Sequence, residues 1–216
     1  MDTEFWHHKW REGDIAFHEG APNALLQAHF SRLDVPAGGR IFLPLCGKTR
    51  DIAWLLERGY QVVGAELSQL AIEQLFSELG LAPRVEETGS LIHYSAAGID
   101  IFVGDIFDLQ RDTLGPVQAV YDRAAMVALP PDTRRRYSTH LVDITSAAPQ
   151  FLITFNYDQS LIDGPPFSIP QEELERHYGA IYQMTELARE PVTGGLKGQV
   201  EAVELAWQLI ARLHPE

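Results

Sequence analysis

Apolar and polar positions alternate between two rhythms along most of the chain. Arg40–Leu43 is a short apolar run after Pro36-Ala37-Gly38-Gly39, read as a strand. Asp51–Arg58 carries Ile52, Leu55 and Leu56 on one helical face. Gln61–Ala65 is β-branched and ends at Glu66, and Ser68 stands as the N-cap of a helix over Gln69–Leu79, with Leu70, Ile72, Leu75, Phe76 and Leu79 along its apolar stripe. A third strand follows at Ile99–Val103 and a fourth at Val117–Tyr121, ending at Asp122-Arg123. Asp132 is the expected cap of a helix over Thr133–Thr145, and Phe151–Phe155 is the fifth strand.

Strands separated by single helices imply parallel pairing through right-handed crossovers. Apolar runs without alternation imply a sheet covered on both faces. The last quarter breaks this rhythm: after Tyr157–Pro170, rich in Pro and Gly, come a helix near Gln171–Tyr178 and strands at Ile181–Ala188 and Val200–Arg212. Only the segment around Thr193–Gly198 separates these two strands, so they form an antiparallel hairpin. The expectation is an α/β fold with a doubly wound, mostly parallel, seven-stranded sheet. It ends in a C-terminal hairpin and binds ligands beyond the carboxyl ends of its strands.

Composition narrows the partners. The 216 residues are 45% hydrophobic and 22% charged, which suits one domain over 1–216. The net charge of −13 speaks against nucleic acid and anionic membranes as partners. The densest basic run, Arg134-Arg135-Arg136, reads as a solvated helix face. The single cysteine, Cys46, allows no intrachain disulfide. With no apolar segment of membrane-spanning length and no signal-like start, a soluble cytoplasmic protein is expected.

Polar features fall where strands end. The turn Pro44-Leu45-Cys46-Gly47-Lys48-Thr49 has one glycine, too few for the Gly-x-Gly-x-x-Gly that cradles a pyrophosphate, and Phe42 stands where a Walker loop has its first glycine. It is either a plain structural turn or a close-approach loop for a ligand without phosphate, such as S-adenosylmethionine. Glu66 is placed to accept the ribose hydroxyls of an adenosine ligand, a role that fits NAD equally. Asp105, followed by Ile106 and Phe107, either recognises an adenine or turns over two core residues. Arg123 pairs either with a cofactor carboxylate, with an anionic substrate, or with Asp122. His7-His8 lacks the helical partner and thiolates of a metal site, so no metal is expected. His18 is expected to hydrogen-bond locally. No Gly-x-Ser-x-Gly elbow marks a serine hydrolase.

Several strings together resemble the thiopurine S-methyltransferase family: Lys9-Trp10-Arg11-Glu12-Gly13 with Ala16-Phe17-His18, Phe42 to Lys48, Gly59 to Ser68, Asp105 to Leu109, Tyr121 to Ala125, and Gly164-Pro165-Pro166-Phe167. They run in order from about Phe5 to about Leu209. The resemblance implies a class I methyltransferase, Rossmann-like fold that binds S-adenosylmethionine, yields S-adenosylhomocysteine, and methylates the sulfur of aromatic and heterocyclic thiols such as thiopurines. Reduced selenium and tellurium species are further acceptors that it suggests. It implies cofactor contacts at Trp10, Leu45, Glu66, Asp105, Ile106 and Arg123, and an N-terminal helical lid over about residues 1–22. Arg123 is also the candidate for favouring a substrate thiolate by its charge. Phe17 and Phe167 are candidate pocket walls. Vertebrate relatives carry an arginine near the substrate in the loop before the last strand, where Lys197 is the only basic candidate here. A monomer acting on a small thiol is expected. A nicotinamide-dependent reductase and a non-catalytic binding protein are the rival readings.

Overall fold

The computed structural model describes residues 3–15 and 18–212. Nine described strands make one sheet: β1 (Arg40–Pro44), β2 (Gln61–Glu66), β3 (Arg84–Thr88), β4 (Leu91–Ala96), β5 (Ile99–Val103), β6 (Ala119–Arg123), β7 (Gln150–Asn156), β8 (Tyr182–Pro191) and β9 (Val203–Ala211). Their order is β3-β4-β5-β2-β1-β6-β7-β9-β8. The five central strands are parallel, and β9 runs antiparallel between β7 and β8. The parallel core and the C-terminal hairpin are as expected. The count of seven is not: β3 and β4 form an additional antiparallel hairpin on the β5 edge. The sequence Arg-Val-Glu-Glu-Thr of β3 is mostly exposed and has no apolar alternation, so backbone pairing rather than burial holds it, and its charges suit a sheet edge.

Among the described residues seven α-helices pack around the sheet: α1 (Thr3–Glu12), α2 (Ala24–His29), α3 (Arg50–Glu57), α4 (Gln69–Leu79), α5 (Arg111–Leu114), α6 (Pro131–Ile144) and α7 (Gln171–Tyr178). One face of the sheet is covered by Leu25 and Leu26 of α2, Ile52 and Leu55 of α3, and Ile72, Leu75 and Phe76 of α4. The other is covered by Leu114 of α5, Tyr137, Leu141 and Ile144 of α6, and Leu174 and Tyr178 of α7. Burial on both faces accounts for the uninterrupted apolar runs of the inner strands.

Two local expectations need correction. Helix α6 begins with Pro131 at its first position after Pro130, so Asp132 lies in the first turn and is not the cap. The Arg134-Arg135-Arg136 run is not simply solvated. Arg134 is buried, bonding the Leu129 carbonyl at 2.9 Å and Glu173 of α7 at 2.8 Å. Arg136 lies over the Phe107 ring, 3.7 Å from its centroid.

From β1 the chain turns through α3 to β2 on one side, while β6 pairs with β1 on the other. The strand order reverses at β1, which opens a crevice at the carboxyl ends of β1, β2 and β6. Helix α1 packs beside α4, and Glu19 reaches Arg123 at the end of β6.

Candidate active site at the carboxyl edge of the sheet

The turn after β1 is fastened to β2. The Cys46 N–H donates to the Ala65 carbonyl at 3.0 Å, and Leu45 and Gly47 both take positive φ. Cys46 is buried against Gly64, where a Cβ would stand 2.8 Å from the Cys46 Sγ and 2.6 Å from Ile101 Cδ1. Only a residue without a side chain lets the turn pack this closely on β2. Burial, reinforced by the nearby Glu66, pushes the Cys46 thiol well up, so it is a neutral packing group and not a nucleophile.

Glu66, at the end of β2, is buried and grips this turn. Its Oε2 accepts the Gly47 N–H at 2.8 Å and its Oε1 accepts the Ser68 N–H at 2.9 Å. Burial raises its carboxyl, while the backbone N–H groups of Ser68, Gly47 and Leu67 oppose the rise. The Gly47 N–H, which in a phosphate loop would face the anion, therefore faces a carboxylate. That arrangement suits an adenosine ligand without a pyrophosphate. The buried Trp10 of α1 lies over Gly47, since a Cβ there would come within 3.1 Å of its Cζ2.

The end of β5 adjoins the end of β2 through the Gly104 N–H, which donates to the Glu66 carbonyl at 2.9 Å. Asp105 is exposed there and caps a short 3-10 turn by accepting the Phe107 N–H at 3.0 Å. Ile106 points into the core, so its backbone is what it can present to a ligand. Phe107 is half-buried beside Arg136 and His140.

At the end of β6 the two adjacent charges part company. Asp122 is fully buried and accepts the Tyr137 hydroxyl at 2.7 Å and the Met126 N–H at 3.1 Å; burial lifts its pKa to about 6. Arg123 instead pairs with Glu19 of the N-terminal segment, Nη2 to Oε1 at 2.5 Å. Burial would lower the Arg123 pKa, but Tyr121, Glu19, Asp51 and Glu204 surround it and leave it raised, so it stays charged.

Asp51 lies beneath this pair. Its carboxylate accepts the Asn23 N–H at 2.7 Å, the Thr49 hydroxyl at 3.0 Å and the Tyr121 hydroxyl at 2.9 Å, tying α2, the β1 turn and β6 together. Asn23 caps α2 with its side chain. Sequence reasoning did not single out Asp51, Asn23, Glu19 or Glu204. Only Asn23 carried a local signal, as a capping residue before Ala-Leu-Leu.

The remaining candidates frame the crevice. His18 is half-buried; burial, then Lys48, lowers its pKa, and Arg50 and Arg123 add to this, so it is neutral near pH 7. Lys48 and Arg50 both pair with Glu78 of α4, at 2.6 and 3.3 Å. Phe167 is half-buried in the loop after β7, held by its N–H to the Val127 carbonyl at 2.6 Å. Lys197 is exposed in the β8–β9 loop. Asp14, after α1, pairs with Lys9, and that contact chiefly holds its carboxyl down, with Lys197 a lesser contributor. Phe17 lies outside the described residues. A cavity of about 700 Å³ opens at the same edge, lined by Asn156, Val192, Gly195, Val200 and Val203 among others. Among the described residues, no group of three His, Cys, Asp or Glu side chains could hold a metal ion, and no helix is long and apolar enough to cross a membrane.

Comparison with known proteins bears on the family and the fold. A family model described as thiopurine S-methyltransferase matches residues 1–212. The protein named thiopurine S-methyltransferase from Xanthobacter autotrophicus is 58% identical, covering 97% of this chain and 99% of its own. Its namesake from Teredinibacter turnerae is 46% identical, covering 97% of each. Among solved structures, a SAM-dependent methyltransferase from Anabaena variabilis superposes with a TM-score of 0.63 at 13% identity, over 96% of this chain and 94% of its own. A TehB-like SAM-dependent methyltransferase from Corynebacterium glutamicum gives 0.56 at 14%, over 97% and 98%. At such identities these two neighbours speak to the fold, which is that of class I methyltransferases.

Proposed function

This chain belongs to the thiopurine S-methyltransferase family, and from that premise we propose that it transfers a methyl group from S-adenosylmethionine to the sulfur of aromatic and heterocyclic thiols, thiopurines among them. The observation that carries the reading is the convergence at one sheet edge of Glu66, the Leu45–Gly47 turn beneath Trp10, and Arg123. Reduced selenium and tellurium species are proposed as further acceptors, and a cytoplasmic monomer as the working form.

The cofactor supplies an electrophilic methyl group on a sulfonium, whose departure as a neutral thioether needs no acid. The residues of this chain therefore have positioning to do. Glu66, already fixed by two backbone N–H groups, has lone pairs left for ribose hydroxyls, because a carboxylate offers about four acceptor positions. Asp105 at the neighbouring strand end is placed for the adenine side. Arg123, permanently charged, is assigned to the cofactor carboxylate and to favouring a thiolate nearby. Trp10 excludes water from the turn, and alignment with water exclusion is the main source of rate in such a displacement. Phe167 is proposed as an apolar wall for the acceptor ring. Lys197 is proposed as a cation near the acceptor.

The test is a methyl-transfer assay with labelled S-adenosylmethionine against a panel of thiopurines, aryl thiols and hydrogen selenide. S-methylated product from at least the heterocyclic thiols is expected. No turnover with any member would reject the catalytic reading and leave a binding protein.

A further inference from the structure

The surroundings of Arg123 single out one carboxylate. Tyr121, Glu19, Asp51 and Glu204 all act electrostatically on its charge. Asp51 is fully buried and already accepts three hydrogen bonds, one of them from Tyr121. Glu204 is partly buried, and burial raises its carboxyl while Arg123 opposes the rise. Glu19 alone is half exposed, with 47% of its side-chain surface open, and it touches the guanidinium directly at 2.5 Å. The Arg123 side chain is 11% exposed, so it is not wholly enclosed. At the carboxyl end of β6 the protein thus presents a charged acceptor and a charged donor side by side.

A heterocyclic thiol in its N–H, C=S tautomer has the complementary edge, a ring N–H beside a sulfur. A simple aryl thiol has the sulfur and no N–H. We propose that Glu19 is a specificity-determining residue whose carboxylate, held on Arg123, accepts the ring N–H of a cyclic thioamide while the guanidinium faces the sulfur. This rests on the S-methyl transfer reading above. As the new carbon–sulfur bond forms and the bond from methyl to sulfonium breaks, the ring nitrogen must lose its proton. The N–H electron pair stays in the ring and restores the aromatic heterocycle. The proton passes to Glu19 and then to water, and the sulfonium becomes a neutral thioether. No oxidant or reductant is involved.

The experiment compares kcat/KM for the unaltered protein, Glu19→Gln and Glu19→Ala on pyridine-2-thione and on benzenethiol, at saturating S-adenosylmethionine. Loss of a hydrogen bond to a charged group should lower kcat/KM on pyridine-2-thione about tenfold or more. On benzenethiol the expected loss is below about threefold, because no N–H is there to be accepted. Equal losses on both acceptors, or no loss on either, would overturn the proposal. Unaltered protein inactive on both acceptors would instead overturn the S-methyl transfer reading, and the Glu19 role with it.

Discussion

Glu66 does two things at once at the residue scale. It closes the β1 turn through the Gly47 and Ser68 N–H groups, and it is the assigned ribose partner. Removing it altogether would orphan two buried donors, so Glu66→Gln is the better probe. Gln keeps one acceptor oxygen and turns an amide toward the other N–H, which should cost about 1–3 kcal/mol of stability. Its S-adenosylhomocysteine dissociation constant should rise about tenfold or more, read by calorimetric titration; an unchanged constant in folded protein would remove the ribose role. Gly64 gives a second test. Gly64→Ala places a methyl against the Cys46 Sγ and Ile101 Cδ1, with an expected loss of about 1–3 kcal/mol in denaturant unfolding. Adding Cys46→Ala and Ile101→Val should recover part of it, and additive losses would show that the clash is elsewhere. Glu66 and Arg123 were legible in the sequence because strand ends mark them. Asp51, Glu19 and Glu204 were not, because their roles depend on partners far along the chain: Asp51 meets Tyr121 across 70 positions.

Elements differ in how their sequences betray them. β1, β2, β5, β6 and β7 are buried on both faces, and their apolar runs announced them. Helix α4 runs from its Ser68 cap to Gly80 at positive φ, with the predicted bounds, because its cap and its Ile72, Leu75 and Phe76 stripe agree; Leu70, expected in that stripe, is instead exposed in the first turn. The β3–β4 hairpin escaped the same logic, since β3 buries almost nothing and pairing energy leaves no mark on hydropathy. That difference has a consequence for stability. Leu91 of β4 is 4% exposed, and Leu91→Ala should cost about 2–5 kcal/mol. Val85 of β3 is 50% exposed, and Val85→Ala should shift stability by no more than about 0.5 kcal/mol. Comparable losses at both positions in urea unfolding would mean that β3 is held by more than its edge pairing.

Across the whole molecule, one buried acid links the sheet to the helices on one face. Asp122 joins β6 to the following turn through Met126 and to α6 through Tyr137. Its carboxyl is lifted from 3.8 to about 6 by burial, so the folded protein holds a proton that the unfolded chain releases. Its contribution is fully present below about pH 4 and is lost as the pH rises to about 6. The stability of the unaltered protein relative to Asp122→Asn should therefore fall across that window by about 3 kcal/mol at most. A relative stability that stays flat or rises would contradict the protonated, buried Asp122.

The same scale holds the central claim, that the carboxyl edge built from the Leu45–Gly47 turn, Glu66 and Arg123 binds an adenosine cofactor without a pyrophosphate. Calorimetric titration of the intact protein with S-adenosylhomocysteine and, separately, with NAD tests it most directly. Saturable one-to-one binding of S-adenosylhomocysteine with no detectable binding of NAD is the expected result. Binding of NAD with indifference to S-adenosylhomocysteine would contradict it.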